Sequence, residues 1–196
     1  MSSIEEKSLQ HWRRELLQEA SGRVLEVGAG TGANLPYYPD DVEEIWLSEP
    51  DAVMREQLVK RVEALEAEKQ ARIRITDHLV DELTDEEGEF DTVVLTLVLC
   101  SVPDVNQALQ AIKQRLKPGG KLLFLEHVVA PQKLLRRVQH LVEPVWKLCA
   151  GNCHLTRDAL RFLKEAGFEV QTLQEEALKG ALPIVKPAVR GVAIQS

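Results

Sequence analysis

The segment Val24-Leu-Glu-Val-Gly28-Ala-Gly30-Thr-Gly32-Ala-Asn34 restricts the fold more than any other stretch of the chain. A short apolar run ends abruptly in three alternating glycines and then leads toward a helix. Glycine lets a backbone take positive φ and approach a ligand closely. A strand feeding such a loop is the first strand–helix turn of an open α/β sheet, and in those sheets ligands sit at the carboxyl ends of the strands. The plainer reading is a tight turn with no ligand. It does not explain three glycines, each of which costs the folded chain entropy.

The rest of the chain alternates to match. Leu9, Trp12, Leu16 and Leu17 fall at helical spacing within residues 5–20, and Ser21-Gly22 ends that helix. Strands are predicted over 23–27, 44–48, 72–76, 90–99, 121–125, 168–175 and 189–195. Helices are predicted over 51–70, with Val53, Leu58, Val62 and Leu65 on one side, over 104–117, over 133–148, and from a Thr156 cap to about Ala166. This order specifies an α/β, doubly wound domain with a mostly parallel sheet. Asp81 to Glu89 reads as a solvated acidic loop, with a turn at Asp85-Glu-Glu-Gly88.

The length of 196 residues suits a single domain over 1–196, with 1–21 as an N-terminal helix or lid and 128–155 as a substrate-cover insertion. Lys and Arg number 24 against 31 Asp and Glu, a formal net charge of −7, which argues against a nucleic-acid partner. Three cysteines are too few and too odd in number for a disulfide framework. The first ten residues are polar, and the longest apolar stretch, Val93 to Val102, is too short to span a bilayer. The expectation is a soluble, cytoplasmic protein.

Read as Gly28-x-Gly30-x-x-Ala33, the glycine loop also fits a dinucleotide fingerprint. Glu49, ending the second strand, would suit the ribose hydroxyls of either a dinucleotide or an adenosyl cofactor. Two details favour S-adenosyl-L-methionine. Glu26 lies just before the loop, and Gly32 completes a Glu-x-Gly-x-Gly-x-Gly pattern. A carboxylate there suits a cationic cofactor better than a pyrophosphate.

With Glu49 in Ser-Glu-Pro-Asp and with Leu116-Lys-Pro-Gly-Gly120, the loop resembles motif I of class I S-adenosylmethionine-dependent methyltransferases. A narrower resemblance rests on Gly30-Thr-Gly-Ala-Asn34 followed by Tyr38-Pro39, Thr96-Leu-Val-Leu-Cys-Ser-Val102, Glu126-His-Val128, Glu143-Pro-x-Trp146 and Gly151-x-Cys-x-Leu-Thr-Arg157. Together these are similar to the animal methyltransferase-like proteins of the endoplasmic reticulum that methylate small thiols. Those proteins carry an N-terminal hydrophobic anchor, so this chain is expected to be a soluble relative.

The resemblance implies a Rossmann-like, seven-stranded sheet, mostly parallel with an antiparallel last strand. It also implies cofactor contacts. Glu26 would hold the methionine amino group, and Gly28, Ala29 and Gly30 would pass beneath the cofactor. Glu49 and Pro50 would lie at the ribose, Asp77 and His78 at the adenine, and Thr96 and Leu97 along the methionyl part.

Methyl transfer to sulfur needs alignment and a deprotonated thiol, whose unperturbed pKa is about 8.5. His127, just past the fifth strand, is the candidate catalytic base; the plainer reading is a histidine bonded to a loop carbonyl. Cys-x3-Cys-His at 149–154 lacks a second pair for structural zinc, and the motifs around the three cysteines do not match arsenite methyltransferases. No metal is expected, and the cysteines read as small semi-buried residues.

The helix 133–148 is basic and amphipathic. Packing of its apolar face over the substrate is expected, with peripheral contact to an anionic membrane as the second reading. Trp12 reads equally as lid or core. The function expected is methyl transfer to a small molecule, a thiol first. The alternatives are O- or N-methylation of a metabolite or phospholipid amine, a non-catalytic S-adenosylmethionine-binding protein, and an NAD-dependent oxidoreductase.

Overall fold

The computed structural model describes residues 9–84 and 87–195. Seven strands form one sheet: β1 Arg23–Val27, β2 Glu44–Ser48, β3 Ile73–Thr76, β4 Phe90–Thr96, β5 Leu116–His127, β6 Phe168–Ala177 and β7 Pro187–Gln195. Their order is β3-β2-β1-β4-β5-β7-β6. The first five run parallel, and β7 lies antiparallel between β5 and β6.

The central strands are apolar because helices cover both of their faces. Side chains alternate along a strand, so β4 sends Val93 and Leu95 into one core and Val94 into the other. Likewise β5 divides Leu122 and Phe124 from Leu123 and Leu125. The first core is closed by α4 (Val105–Arg115) and α6 (Ala159–Glu165), through Leu109, Ile112 and Leu163. The second is closed by α1 (Gln10–Leu17) and α2 (Ala52–Glu63), through Trp12, Leu16, Leu17 and Leu58. Trp12 is therefore a core residue, with the Arg190 guanidinium 5.7 Å from its ring centre. Asp51 and Asp104 start α2 and α4 by accepting two backbone N–H bonds each, which satisfies donors that a helix leaves free.

Several expectations are corrected. The helix over 51–70 is two helices, α2 and α3 (Ala67–Ala71), and Val53 is exposed rather than packed. Asp158, not Thr156, caps α6 by accepting from Arg161 N. The Pro118-Gly119-Gly120 segment falls inside β5, where the register with β4 shifts. The apolar run 90–99 leaves the strand after Thr96: Val98, Leu99 and Cys100 form a buried turn, entered through Leu97 at φ 59°. An apolar run marks burial but not conformation. Residues 5–8 of the first helix and 85–86 of the acidic turn lie outside the described residues.

The largest correction concerns α5 (Lys133–Cys149). It rests on the domain through partly buried Leu135, Val142, Glu143 and Trp146 and buried Gln139, held by polar anchors. Gln139 accepts from Ala130 N and donates to Ile184 O, both at 2.8 Å. Glu143 accepts from Thr156 N at 2.8 Å. The stripe Leu134, Val138, Leu141, Val145 and Leu148 faces outward, with Leu148 87% exposed. Only one edge of the apolar face packs, and the rest of it roofs nothing among the described residues.

Candidate functional site

The sheet order reverses at β1, whose two neighbours are β2 and β4. Such a switch point opens a crevice at the carboxyl ends of the strands. The loop after β1 and the turn after β4 meet there. Gly28 has φ 66°, and a Cβ added to it would stand 2.8 Å from Val98 Cγ2. Gly30 has φ 58°, but a Cβ there would meet nothing within 4 Å. The first glycine is required by close approach, and the second leaves bare backbone facing open space. Gly32 differs again: a Cβ there would press on Leu35 and Leu58, so it serves packing.

This contrast gives a prediction. Gly28→Ala adds left-handed strain of about 1–2 kcal/mol to overpacking of about 1–3 kcal/mol. Gly30→Ala adds the strain alone. Thermal unfolding should show Gly28→Ala as clearly the less stable. Equal melting temperatures would contradict this account of the loop.

Glu49 fixes the loop from the side. Its Oε2 accepts from Gly30 N at 2.7 Å and its Oε1 from Asp51 N at 2.9 Å. Each oxygen keeps a lone pair for a hydroxyl donor. Ala29 is buried and donates to Ser48 O at 3.0 Å. Pro50 offers its carbonyl to Arg55 at 2.9 Å.

Glu26 lies behind the loop, 3% exposed, at the centre of a buried polar network. Its Oε1 accepts from Asn34 Nδ2 at 2.9 Å and its Oε2 from Tyr38 O–H at 2.7 Å. Asn34 also donates to Thr96 Oγ1 at 3.0 Å and accepts from Arg13 at 2.5 Å. Burial pushes the Glu26 carboxyl up to about 7, against the bonds from Tyr38 and Asn34 and the Arg13 charge. The Tyr38 hydroxyl is raised too, by burial and by Glu26. A cation arriving beside an acid so placed favours its ionised form. The open cradle over Gly30, the free lone pairs of Glu49 and this carboxylate fit a nucleoside cofactor that carries an ammonium group.

Asp77 and His78 are set apart from this group. Both are exposed after β3; Asp77 stands 3.7 Å from Arg55 and His78 3.5 Å from Glu87. Leu97 closes the crevice at the end of β4, donating its N–H to Leu125 O at 2.8 Å.

On the other side of β4 the structure gathers a second cluster. His127 ends β5, is 6% exposed, and places Nε2 2.9 Å from Cys153 Sγ. Cys100, from the turn after β4, joins them. A hydrogen bond from Cys100 and another from His127 lower the Cys153 thiol, while Cys153 and burial raise that of Cys100. Cys149 is exposed and outside the cluster, so the three cysteines do not converge. The adjacent Glu126 is fully buried, and its Oε1 holds the turn through Val98 N and Leu99 N at 2.8 and 3.0 Å. Burial pushes its carboxyl up to about 7.

Sequence reasoning missed Arg13, Asn34, Tyr38, Glu126 and Cys153 as site residues. Asn34 and Tyr38 stood in the motif that carried the resemblance, and Glu126 and Cys153 in two others. Arg13 left no signal, since only the docking of α1 brings it to the loop.

Known proteins bear on this arrangement. A family described as "Methyltransferase domain" matches residues 1–173. The chain is 32% identical to the human thiol S-methyltransferase TMT1A over 193 residues, which cover 93% of this chain and 78% of that protein. It is 34% identical to human thiol S-methyltransferase TMT1B over 200 residues, 96% and 80% of the two. Among solved structures, the glycopeptide N-methyltransferase MtfA with S-adenosyl-L-methionine superposes at a TM-score of 0.65 and 16% identity, covering 94% of each chain.

Proposed function

The chain belongs to the methyltransferase domain family, whose methyl donor is S-adenosyl-L-methionine, and from that premise we propose that it methylates a small thiol. The observation that carries the thiol reading is the buried His127–Cys153–Cys100 cluster at the ends of β4 and β5, beside the cofactor crevice. Two relatives of moderate identity are named thiol S-methyltransferases, which points the same way.

Bound donor supplies an electrophilic methyl on a sulfonium. The residues of this chain align and deprotonate. Glu26 takes the ammonium group, Gly28, Ala29 and Gly30 form the floor, and Glu49 accepts from the ribose hydroxyls, with Pro50 holding the turn beside it. Thr96 and Leu97 line the methionyl side. Asp77 and His78 are the adenine-side candidates, and their exposure makes them the weakest contributors. Cys153 as thiolate accepts from His127 Nε2–H, which leaves Nδ1, buried and without a partner, to take the acceptor's proton. The S–H bond breaks toward that nitrogen, leaving the acceptor as the thiolate that a bound donor would methylate. Alignment can supply roughly 7–11 kcal/mol in well-oriented systems. Within a single domain, the loop after α5 brings Cys153 to the acceptor side.

A labelled-methyl screen over alkyl thiols, hydrogen sulfide, phenols, amines and lipids tests the reading. Thiols should be labelled first. Transfer to phenols, metabolite amines or phospholipid amines but to no thiol overturns the sulfur preference. No transfer at all, with S-adenosylhomocysteine raising the melting temperature, would mean a binding protein. Stabilisation by NAD instead would mean an oxidoreductase.

Among the described residues no helix is long and apolar enough to cross a membrane. The outward stripe of α5 supports peripheral contact with an anionic surface instead. Leu134, Leu141, Val145 and Leu148 are exposed beside Lys133, Arg136 and Arg137, the pattern of an interfacial helix. The chain should float with vesicles rich in phosphatidylserine and not with zwitterionic ones, and Leu141→Glu should release it. Absence of co-flotation removes the membrane reading. A cytoplasmic, reducing setting suits the site, because Cys100 and Cys153 act as free thiols.

A further inference from the structure

We propose that Cys100, His127 and Cys153 form a three-ligand site for a soft divalent cation of the zinc class, with a fourth position open to the acceptor sulfur. The open position rests on the thiol reading above; the ligand set does not.

One donor atom from each residue lies within 4.8 Å of the others, and all three residues are buried. Two thiols and an imidazole without a carboxylate select a soft metal over magnesium or calcium. Zinc bonds of about 2.3 Å to sulfur and 2.0 Å to nitrogen set tetrahedral donor atoms roughly 3.5–3.8 Å apart. The present 2.9 Å between His127 Nε2 and Cys153 Sγ must open by roughly 0.6–0.9 Å to meet that spacing, a side-chain rotation.

The donors come from three separate elements, and the two cysteine loops are stapled together. His154 N donates to Cys100 O at 2.7 Å, and Asn152 Nδ2 to Ser101 O at 3.0 Å. Arg157 donates to Leu99 O at 2.5 Å and Val102 O at 2.7 Å. The ligands are thus assembled before any cation arrives.

Charge balances as well. A dication held by two thiolates and a neutral imidazole gives a site of zero net charge, which burial tolerates. Three protein ligands with one vacant position is the pattern of a catalytic zinc rather than a structural one. An acceptor thiol entering that position releases its proton to water and presents a metal-bound thiolate to the methyl. In the loaded protein His127 is a ligand; its role as base belongs to the metal-free state.

The test uses the full chain, reduced and stripped with a chelator. Zn²⁺ is titrated against a chromophoric chelator, and Co²⁺ is followed by absorption. One equivalent should bind, with sulfur-to-cobalt charge-transfer bands and tetrahedral ligand-field intensity. Cys153→Ser and His127→Ala should each weaken binding at least about tenfold, and Cys149→Ser should leave it unchanged. Binding of S-adenosylhomocysteine reports that each variant is folded. An alkyl thiol added without methyl donor should then shift the cobalt spectrum, and the matching alcohol should not. No stoichiometric binding, or binding indifferent to Cys153→Ser, overturns the site. Binding without a response to thiol overturns the open position. Since metal is read without methyl transfer, these outcomes stay separate from failure of the thiol screen.

Discussion

A His127→Ala variant should lower kcat for thiol methylation by about 10²–10⁴-fold, the usual range for a positioned acid–base group. The imidazole is buried at the end of β5 with Nε2 on Cys153 and Nδ1 free, so its removal takes away the proton acceptor and unpairs a thiolate. The expected signature is a changed pH profile. The variant should follow the intrinsic ionisation of the acceptor thiol, near pH 8.5. Binding of S-adenosylhomocysteine should survive, because His127 lies outside the glycine-loop network. Unchanged turnover across roughly pH 6–9 would remove the base from the mechanism. A chelator arm separates the two states of the imidazole: activity lost on metal removal means His127 acts there chiefly as a ligand.

The second large effect concerns Glu26. Its carboxyl is raised from 4.5 to about 7 in the folded protein. The folded state therefore holds the proton more tightly than the unfolded one. The stability this contributes is full below about pH 4.5 and is lost as pH rises through about 7. Ionising the group in the cofactor-free protein costs on the order of 3 kcal/mol. The ammonium of the cofactor reverses the preference, so binding releases a proton. S-adenosylhomocysteine should bind about tenfold more tightly at pH 8 than at pH 6.

Glu26→Gln should weaken binding by roughly 10–100-fold at pH 8, as loss of a charged hydrogen bond does. It should also abolish that pH dependence and stabilise the cofactor-free protein above neutrality. Calorimetry at two pH values checks all three. A pH slope that persists in the variant would assign it to another group. Arg13 shares the network through Asn34, so ionising Glu26 strengthens the attraction on α1. Linkage is reciprocal, and a helix held better by bound cofactor also favours its binding.

Much of the fold was legible because periodicity and punctuation agreed. The run 23–27 into glycines and the helix 104–117 each carried both signals. Elements failed where only one signal spoke. Residues 97–101 are as apolar as the strand before them, and nothing local says that the chain turns. The stripe on α5 has helical spacing, but spacing cannot say which face meets the domain. Polar anchors at Gln139 and Glu143 decided it, and they look like ordinary surface residues in a sequence.

The site divides the same way. Glu26, Glu49 and the glycines were legible because the chain brings them together locally. His127 was legible by its place at a strand end. Its pairing with Cys153 depends on the return of the chain after α5, a contact across 26 positions. Asp77 and His78 were placed by family position alone, and the structure leaves them exposed beside Arg55 and Glu87.

The position of β7 has a consequence for biosynthesis. It follows the other six strands in the chain, yet it sits between β5 and β6 and pairs with both. Until it emerges, β5 is an open edge carrying Leu122 to His127, and β6 has no neighbour in the sheet. A nascent chain can close the nucleotide half, β1 to β4, early. The sulfur half waits for β7, because His127 aligns with Ala188 across β5 and β7. A chain interrupted before Pro187 would therefore hold a half-built sheet with a sticky apolar edge, prone to aggregation.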